Sequence, residues 1–258
     1  MKKYTQAEFD AIPVDENGIK HCPTGDYTAI KRFGDGCSFG EDCRFGAHCS
    51  FGEDCRFGVH CSFGRGCSFG EDCRFGEVCS FGEYCRFGAD CSFGEVCRFG
   101  EVCRFGAHCS FGEDCRFGAG CSFGEDCRFG EVCSFGEYCR FGAVCRFGED
   151  CRFGRGCSFG EVCSFGEVCS FGEYCICEFG QFVSMLSAGG FGSEGRTTYF
   201  FLLADGRICV RCGCFSGTLD EWAAKVKETH GDSYIARAYL LLIPAVKTQF
   251  EMGGFCNG

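Results

Sequence analysis

The string GCSFGEDCRFGEVCSFGEYCRFGA occupies residues 66–89 and recurs letter for letter at residues 120–143. Within it Cys, Phe and Gly each return every six residues. Outward from it the same unit, Cys-[Ser/Arg]-Phe-Gly-x-x, runs without a miss. It supplies 24 cysteines from Cys37 to Cys175 and 24 phenylalanines from Phe33 to Phe171, each of the latter followed by Gly. A short fixed period marks a repeat architecture. Six residues do not suit a helix, where such a repeat would line no single face. They suit a β-solenoid. Cys and Phe stand two apart, so in a strand both point inward, while the Ser or Arg between them points to water. The Gly that follows reads as a corner where the backbone takes a positive φ. The last two positions vary, as an exposed turn does. Cys37, Phe39, Cys55, Phe57, Cys73, Phe75, Cys91 and Phe93 typify the expected core ladder.

Written from Phe, the unit Phe-Gly-x-x-Cys-x resembles the hexapeptide motif of left-handed parallel β-helices. That resemblance implies three hexads per coil in a three-sided solenoid of left hand. A flattened coil of two hexads is the alternative. Like charges one coil apart repel. Twelve-residue coils would place Arg104, Arg116, Arg128, Arg140 and Arg152 in one column, whereas 18-residue coils leave no more than two Arg adjacent. The 54-residue offset of the perfect duplication also favours 18; a second duplication, Cys43–Gly58 with Cys103–Gly118, favours 12. The expectation is an all-β solenoid of about eight 18-residue coils, a rod of roughly 38 Å at the sheet spacing.

Cys, Gly and Phe account for 105 of the 258 residues. That excludes an average globular domain, and 45% hydrophobic residues exclude a disordered chain. The start MKKYTQAEFDAIPVDENG resembles no secretory signal, and no apolar run is long enough to span a membrane. A cytoplasmic location follows as the expectation, so the thiols call for a role other than disulfides. Packing supplies one: free Cys behaves as a small buried hydrophobe.

Residues 1–32 read as an N-terminal cap with a capping box at Thr5–Glu8. Residues 33–176 are the solenoid, and 177–196 are its end and a Gly/Ser-rich loop over Ser187–Arg196. Residues 197–258 form a small α+β domain of order ββαα that caps or makes contacts. Its hairpin is Thr197–Leu203 with Arg207–Phe215. One helix opens at the capping box Thr218–Glu221, and another runs over Ser233–Ile243 to a stop or kink at Pro244. The last domain could pair with a second copy in a homodimer. Cys209, Cys212 and Cys214 are the only metal-like cluster, a weak one, since on a strand Cys209 points away from the other two. Cys256 also lies outside the repeat.

Enzymatic chemistry finds no support. His48, His60 and His108 sit in turn positions without an organised partner, no cofactor-binding motif is present, and 24 hexads run without the loops an acyl donor needs. Ice binding is disfavoured because Thr is absent from residues 33–176. A net charge of −11 argues against direct nucleic-acid binding. It admits the opposite role, an acidic rod that mimics DNA, which pentapeptide-repeat solenoids resemble in residue logic. Glu fills 15 of the 24 positions after the repeat Gly, and Arg fills 11 of the 24 mid-strand positions. Gly25-Asp26-Tyr27, Thr197-Thr-Tyr-Phe and Gly213-Cys-Phe-Ser-Gly-Thr-Leu-Asp-Glu are similar to segments of uncharacterised CSFG-repeat proteins of prophages and gut bacteria. The resulting expectation is a non-enzymatic rigid surface that binds an unidentified protein, by DNA mimicry or as a self-assembling scaffold. Its contact residues would be Glu77, Glu95, Glu113, Glu131, Glu149 and Trp222.

Overall fold

The computed structural model describes residues 1–191 and 196–253. Two compact units divide the chain, Met1–Gly172 and Glu173–Gly258. The first is a parallel β-solenoid with an 18-residue coil. Ser80 pairs with Arg98 and Phe81 with Phe99; one face over, Arg74 pairs with Ser92 and Phe75 with Phe93. The Arg columns never exceed two neighbours, as at Arg56–Arg74, Arg86–Arg104, Arg98–Arg116 and Arg128–Arg146. The 12-residue alternative is therefore excluded.

The stack has about nine turns rather than eight. Its first turn lies in the leader, where Lys20–Cys22, Asp26–Tyr27 and Arg32–Phe33 pair with the strands one coil on. This turn lacks the repeat signature, but Tyr27 takes a Phe slot opposite Phe45 and Ile30 is fully buried. The short helix α1 (Gln6–Asp10) precedes it, with a complete Thr5/Glu8 capping box, and buries Phe9 edge-on against Phe33.

Inside, each Phe ring stacks on its counterpart one coil away and meets the next Phe of its own coil at a right angle. Phe93 lies 4.8 Å from Phe75 at 2°, and 5.0 Å from Phe99 at 86°. Both offset-stacked and edge-to-face geometries are favourable for aromatic quadrupoles. One small and one large side chain per hexad fill the triangle, so the repeat cysteines beside these rings, Cys169 excepted, are buried, most of them completely.

The corner glycines differ from the expectation. Positive φ falls on the residue before each Cys: Asp54 (55°), Tyr84 (61°), Val96 (58°), His108 (59°). The repeat Gly is required for a different reason. A Cβ on Gly94 would sit 2.7 Å from the Glu77 amide nitrogen and 2.8 Å from the Gly76 carbonyl carbon, so only Gly lets one coil settle on the last.

The second unit is an antiparallel meander of Ile176–Cys177, Gly180–Phe191, Arg196–Leu203, Ile208–Cys212 and Phe215–Thr218. The Gly/Ser-rich stretch expected as a loop contributes to the long second strand through Phe191; residues 192–195 lie outside the described residues. Gly213, at φ 60°, turns the chain inside the expected second hairpin strand and makes two strands of it. Helices α2 (Leu219–His230) and α3 (Tyr234–Gly253) cover one sheet face. Pro244 lies within α3 and does not end it. Among the described residues, no helix is long and apolar enough to cross a membrane.

Candidate functional site

Three ridges run along the solenoid where its faces meet. At each, the amide of the second turn residue donates to the carbonyl of the first turn residue one coil on, as Val78 does to Glu95 and Tyr84 to Glu101 (2.9 Å each). Residues one coil apart therefore stack, and the variable pairs become three separate columns with different chemistry.

The first ridge carries Glu77, Glu95, Glu113, Glu131 and Glu149, all exposed, in one unbroken column with ten acidic residues along its length. The third ridge, with Glu53-Asp54, Glu71-Asp72 and Glu125-Asp126 among its pairs, carries nine; His108 stands there 4.0 Å from Asp126. The second ridge, within the first unit, holds only Glu83, Glu101 and Glu137, and it alone carries the first unit's two turn arginines, Arg65 and Arg155. Arg98, Arg116 and Arg152 on one adjoining face and Arg86, Arg104 and Arg140 on the other are all exposed.

On this second ridge the exposed rings have a recurring support. The Tyr138 ring rests on Gly156, where a Cβ would lie 2.6 Å from ring carbons, and Arg155 Nη2 donates to Tyr138 Oη at 2.9 Å. The Arg155 guanidinium carbon is 5.8 Å from the ring centroid. Tyr138 nevertheless remains 50% exposed. Five coils earlier His48 rests on Gly66 in the same way, with Arg65 beside it; a Cβ there would meet the imidazole Nδ1 at 2.6 Å. Tyr84, 54% exposed, lies between the two. An Arg-Gly turn pair thus makes room for an aromatic ring from the coil before. Neither the Arg-Gly pairs nor their alignment with Tyr or His is conspicuous in the linear sequence, because the partners lie a whole coil apart along the chain.

Other expected contact and ligand residues fall elsewhere. Trp222 is buried, edge-on to Phe200 (5.5 Å) and Tyr239 (5.6 Å), so it belongs to the helix–sheet core and offers no contact surface. Cys209 is buried, Cys214 is exposed, and Cys212 accepts from Thr198 Oγ1 at 3.1 Å on the helix side of the sheet. The three do not converge.

The repeat thiols are arranged for packing. Each Sγ from Cys55 to Cys169 donates to the carbonyl of a Gly in the preceding coil, as Cys97 does to Gly76 at 3.5 Å and Cys103 to Gly82 at 3.4 Å. The neighbouring Cys121 thiol and burial push Cys103 up to about 12. Thiols of successive coils adjoin along each column, so a column titrates as a unit.

A model of the RNA-binding, Nab2-type zinc-finger family matches residues 32–46, 42–58, 72–93, 85–100, 103–118, 114–136 and 139–154. These segments lie within the solenoid and cover about two fifths of the chain. No curated protein and no solved structure matches. The match corrects the expected kinship with hexapeptide-repeat and prophage CSFG-repeat proteins, neither of which emerges. It also overturns the expectation of a phage protein-binding surface, DNA mimic or scaffold without direct nucleic-acid contact. The physical flaw in that expectation was the use of net charge, since phosphate meets local charge and here most of the acid gathers on two ridges. The zinc implied by the match does not fit the residues. Within the matched segment 42–58, Cys43, Cys49 and Cys55 precede strands of three different faces. A zinc ion needs its ligands about 2.0–2.3 Å away in a tetrahedron. Among the described residues no group of three or more His, Cys, Asp or Glu is arranged to hold a metal ion. Seven segments of the chain resemble the RNA-binding zinc-finger family, while in the fold their cysteines line a β-solenoid core.

Proposed function

We propose that the solenoid binds single-stranded RNA along its second ridge, without catalysis. The observation that carries this reading is the Tyr138–Gly156–Arg155 arrangement: a half-exposed ring, backed by backbone and edged by a guanidinium, on the one ridge without an acidic column. Proteins that hold single strands combine such rings, on which bases stack, with cations that follow the backbone. The His48–Gly66–Arg65 arrangement repeats it, and the match to an RNA-binding family supports the ligand class. The two acidic ridges repel phosphate and leave a strand one path along the rod. Stacking is indifferent to base identity, so weak sequence preference and marked salt dependence are expected.

Fluorescence anisotropy with a labelled oligouridine and with an RNA duplex tests this. The single strand binds more tightly than the duplex. Tyr138→Ala weakens binding about 5- to 150-fold, corresponding to about 1–3 kcal/mol for one stacked base. Arg155→Glu weakens it further, and Glu113→Gln on the first ridge does not weaken it. Equal affinity of wild type and the Tyr138→Ala/Arg155→Glu double variant refutes the ridge; no binding at low salt refutes the function.

A further inference from the structure

We infer that the repeat cysteines are hydrogen-bond donors to the glycine carbonyls of the preceding coil, and that the solenoid folds without zinc although its segments match a zinc-finger model. This goes beyond RNA binding and does not depend on it. The backbone bonds between coils use the carbonyls of Cys, Phe and the first turn residue: Arg98 donates to Cys79, Gly100 to Phe81, and Val78 to Glu95. The Gly carbonyl takes the thiol in their place. Twenty consecutive repeat cysteines make this contact, with Sγ–O distances from 3.3 Å at Cys67 to 3.6 Å at Cys85. The regularity means that a thiol at this position satisfies a partly buried acceptor that each coil generates, and an acceptor left unsatisfied away from water is costly.

The same placement is incompatible with zinc fingers. Ligands spaced six apart would have to leave three separate corners of the triangle and converge on one ion. That would abandon the Phe stacks at each coil crossed. A column of thiols on one line offers neighbours along an axis, not four donors around a point. Folding of the solenoid and zinc fingers are therefore alternative fates of these cysteines.

Elemental analysis of full-length protein purified under reducing conditions, with melting followed by circular dichroism with and without EDTA or phenanthroline, tests the metal half. Absence of stoichiometric zinc and unchanged melting in chelator are expected. Bound zinc at one or more per chain, or a melting temperature that falls on chelation, overturns it. The donor half is tested by Cys97→Ser and Cys97→Ala, melted side by side. A donor role makes Cys97→Ser at least as stable as Cys97→Ala, because the hydroxyl still serves the Gly76 carbonyl. If Cys97 is only an apolar filler, burying a hydroxyl makes Cys97→Ser the less stable, and the donor role fails. Neither readout involves RNA, so failure of the RNA reading leaves both intact.

Discussion

Gly94 and Val96 show how unequal the constraints within one hexad are. Gly94 has no room for a Cβ, with backbone of the preceding coil at 2.7–2.8 Å. Gly94→Ala forces two coils apart and costs about 3 kcal/mol, the upper end for overpacking; equilibrium denaturation reads it, and a cost below about 0.5 kcal/mol would show that the coils part freely. Val96 is the opposite case. It is partly exposed and holds φ at 58°, a region unfavourable to a β-branched residue. Val96→Asn stabilises the solenoid by up to about 1 kcal/mol, since Asn visits that region more readily; a lower melting temperature would contradict the strain. The periodic Gly was plain in the sequence, but its cause was not. Close approach depends on what lies one coil earlier, and that neighbour is not visible in a single hexad. Phe93, by contrast, was legible at once, because its position two after a Cys fixes the face it occupies.

Among the elements, the capping boxes were the most readable. Thr5 with Glu8 and Thr218 with Glu221 each form both reciprocal bonds, since every partner lies within three residues. Elements that depend on distant contacts were less readable. Trp222 looked available on an amphipathic helix, but Phe200 and Tyr239 enclose it from a strand and from α3. The sheet face away from the helices carries Arg211, which is 7% exposed, 3.7 Å from Glu178 and 5.1 Å over the Tyr199 ring. Its Nη2 is buried without a hydrogen-bond partner among the described residues. Glu178→Ala leaves that guanidinium uncompensated and costs about 3–5 kcal/mol, whereas Glu178→Leu with Arg211→Met is close to neutral. Urea unfolding of the three proteins checks this; equal stabilities would mean that the ion pair is effectively solvated.

Across the whole solenoid, the repetition multiplies small effects. Cys103, raised to about 12 when folded, ionises in the unfolded chain near the ordinary thiol value of about 8.5. Its contribution is complete below that value and is lost as pH rises toward the folded one. Cys37, Cys55 and Cys121 are raised likewise, and above the unfolded value each such thiol weakens the fold by about 1.4 kcal/mol per pH unit. Melting followed by circular dichroism across pH 8 to 11 therefore shows a melting temperature that falls as pH rises above about 9; an unchanged melting temperature at the alkaline end would mean these thiols are not held protonated. Repetition also makes the surface separable from the core. Deleting residues 95–112 removes one whole coil and keeps Tyr138 on the ridge of Tyr84. Deleting residues 107–112 leaves every hexad intact but turns all later ridges by a third of a revolution. Both variants melt as solenoids, and only the shorter deletion impairs RNA binding; equal impairment would place the binding surface off the ridge.

The sequence by itself determined the solenoid, its inward Cys and Phe and its outward Ser and Arg. Alternation along a strand and an unbroken period are local facts that each hexad states in full. Pairs of Arg pointed to the three-hexad coil, because like charges in contact raise the energy of the rival. Only the tertiary structure decided which variable residues share a ridge, that acid gathers on two ridges and supported rings on the third, and that glycine carbonyls receive the thiols. Those relations join residues about one coil apart in the chain, and they exist only once one coil lies upon another.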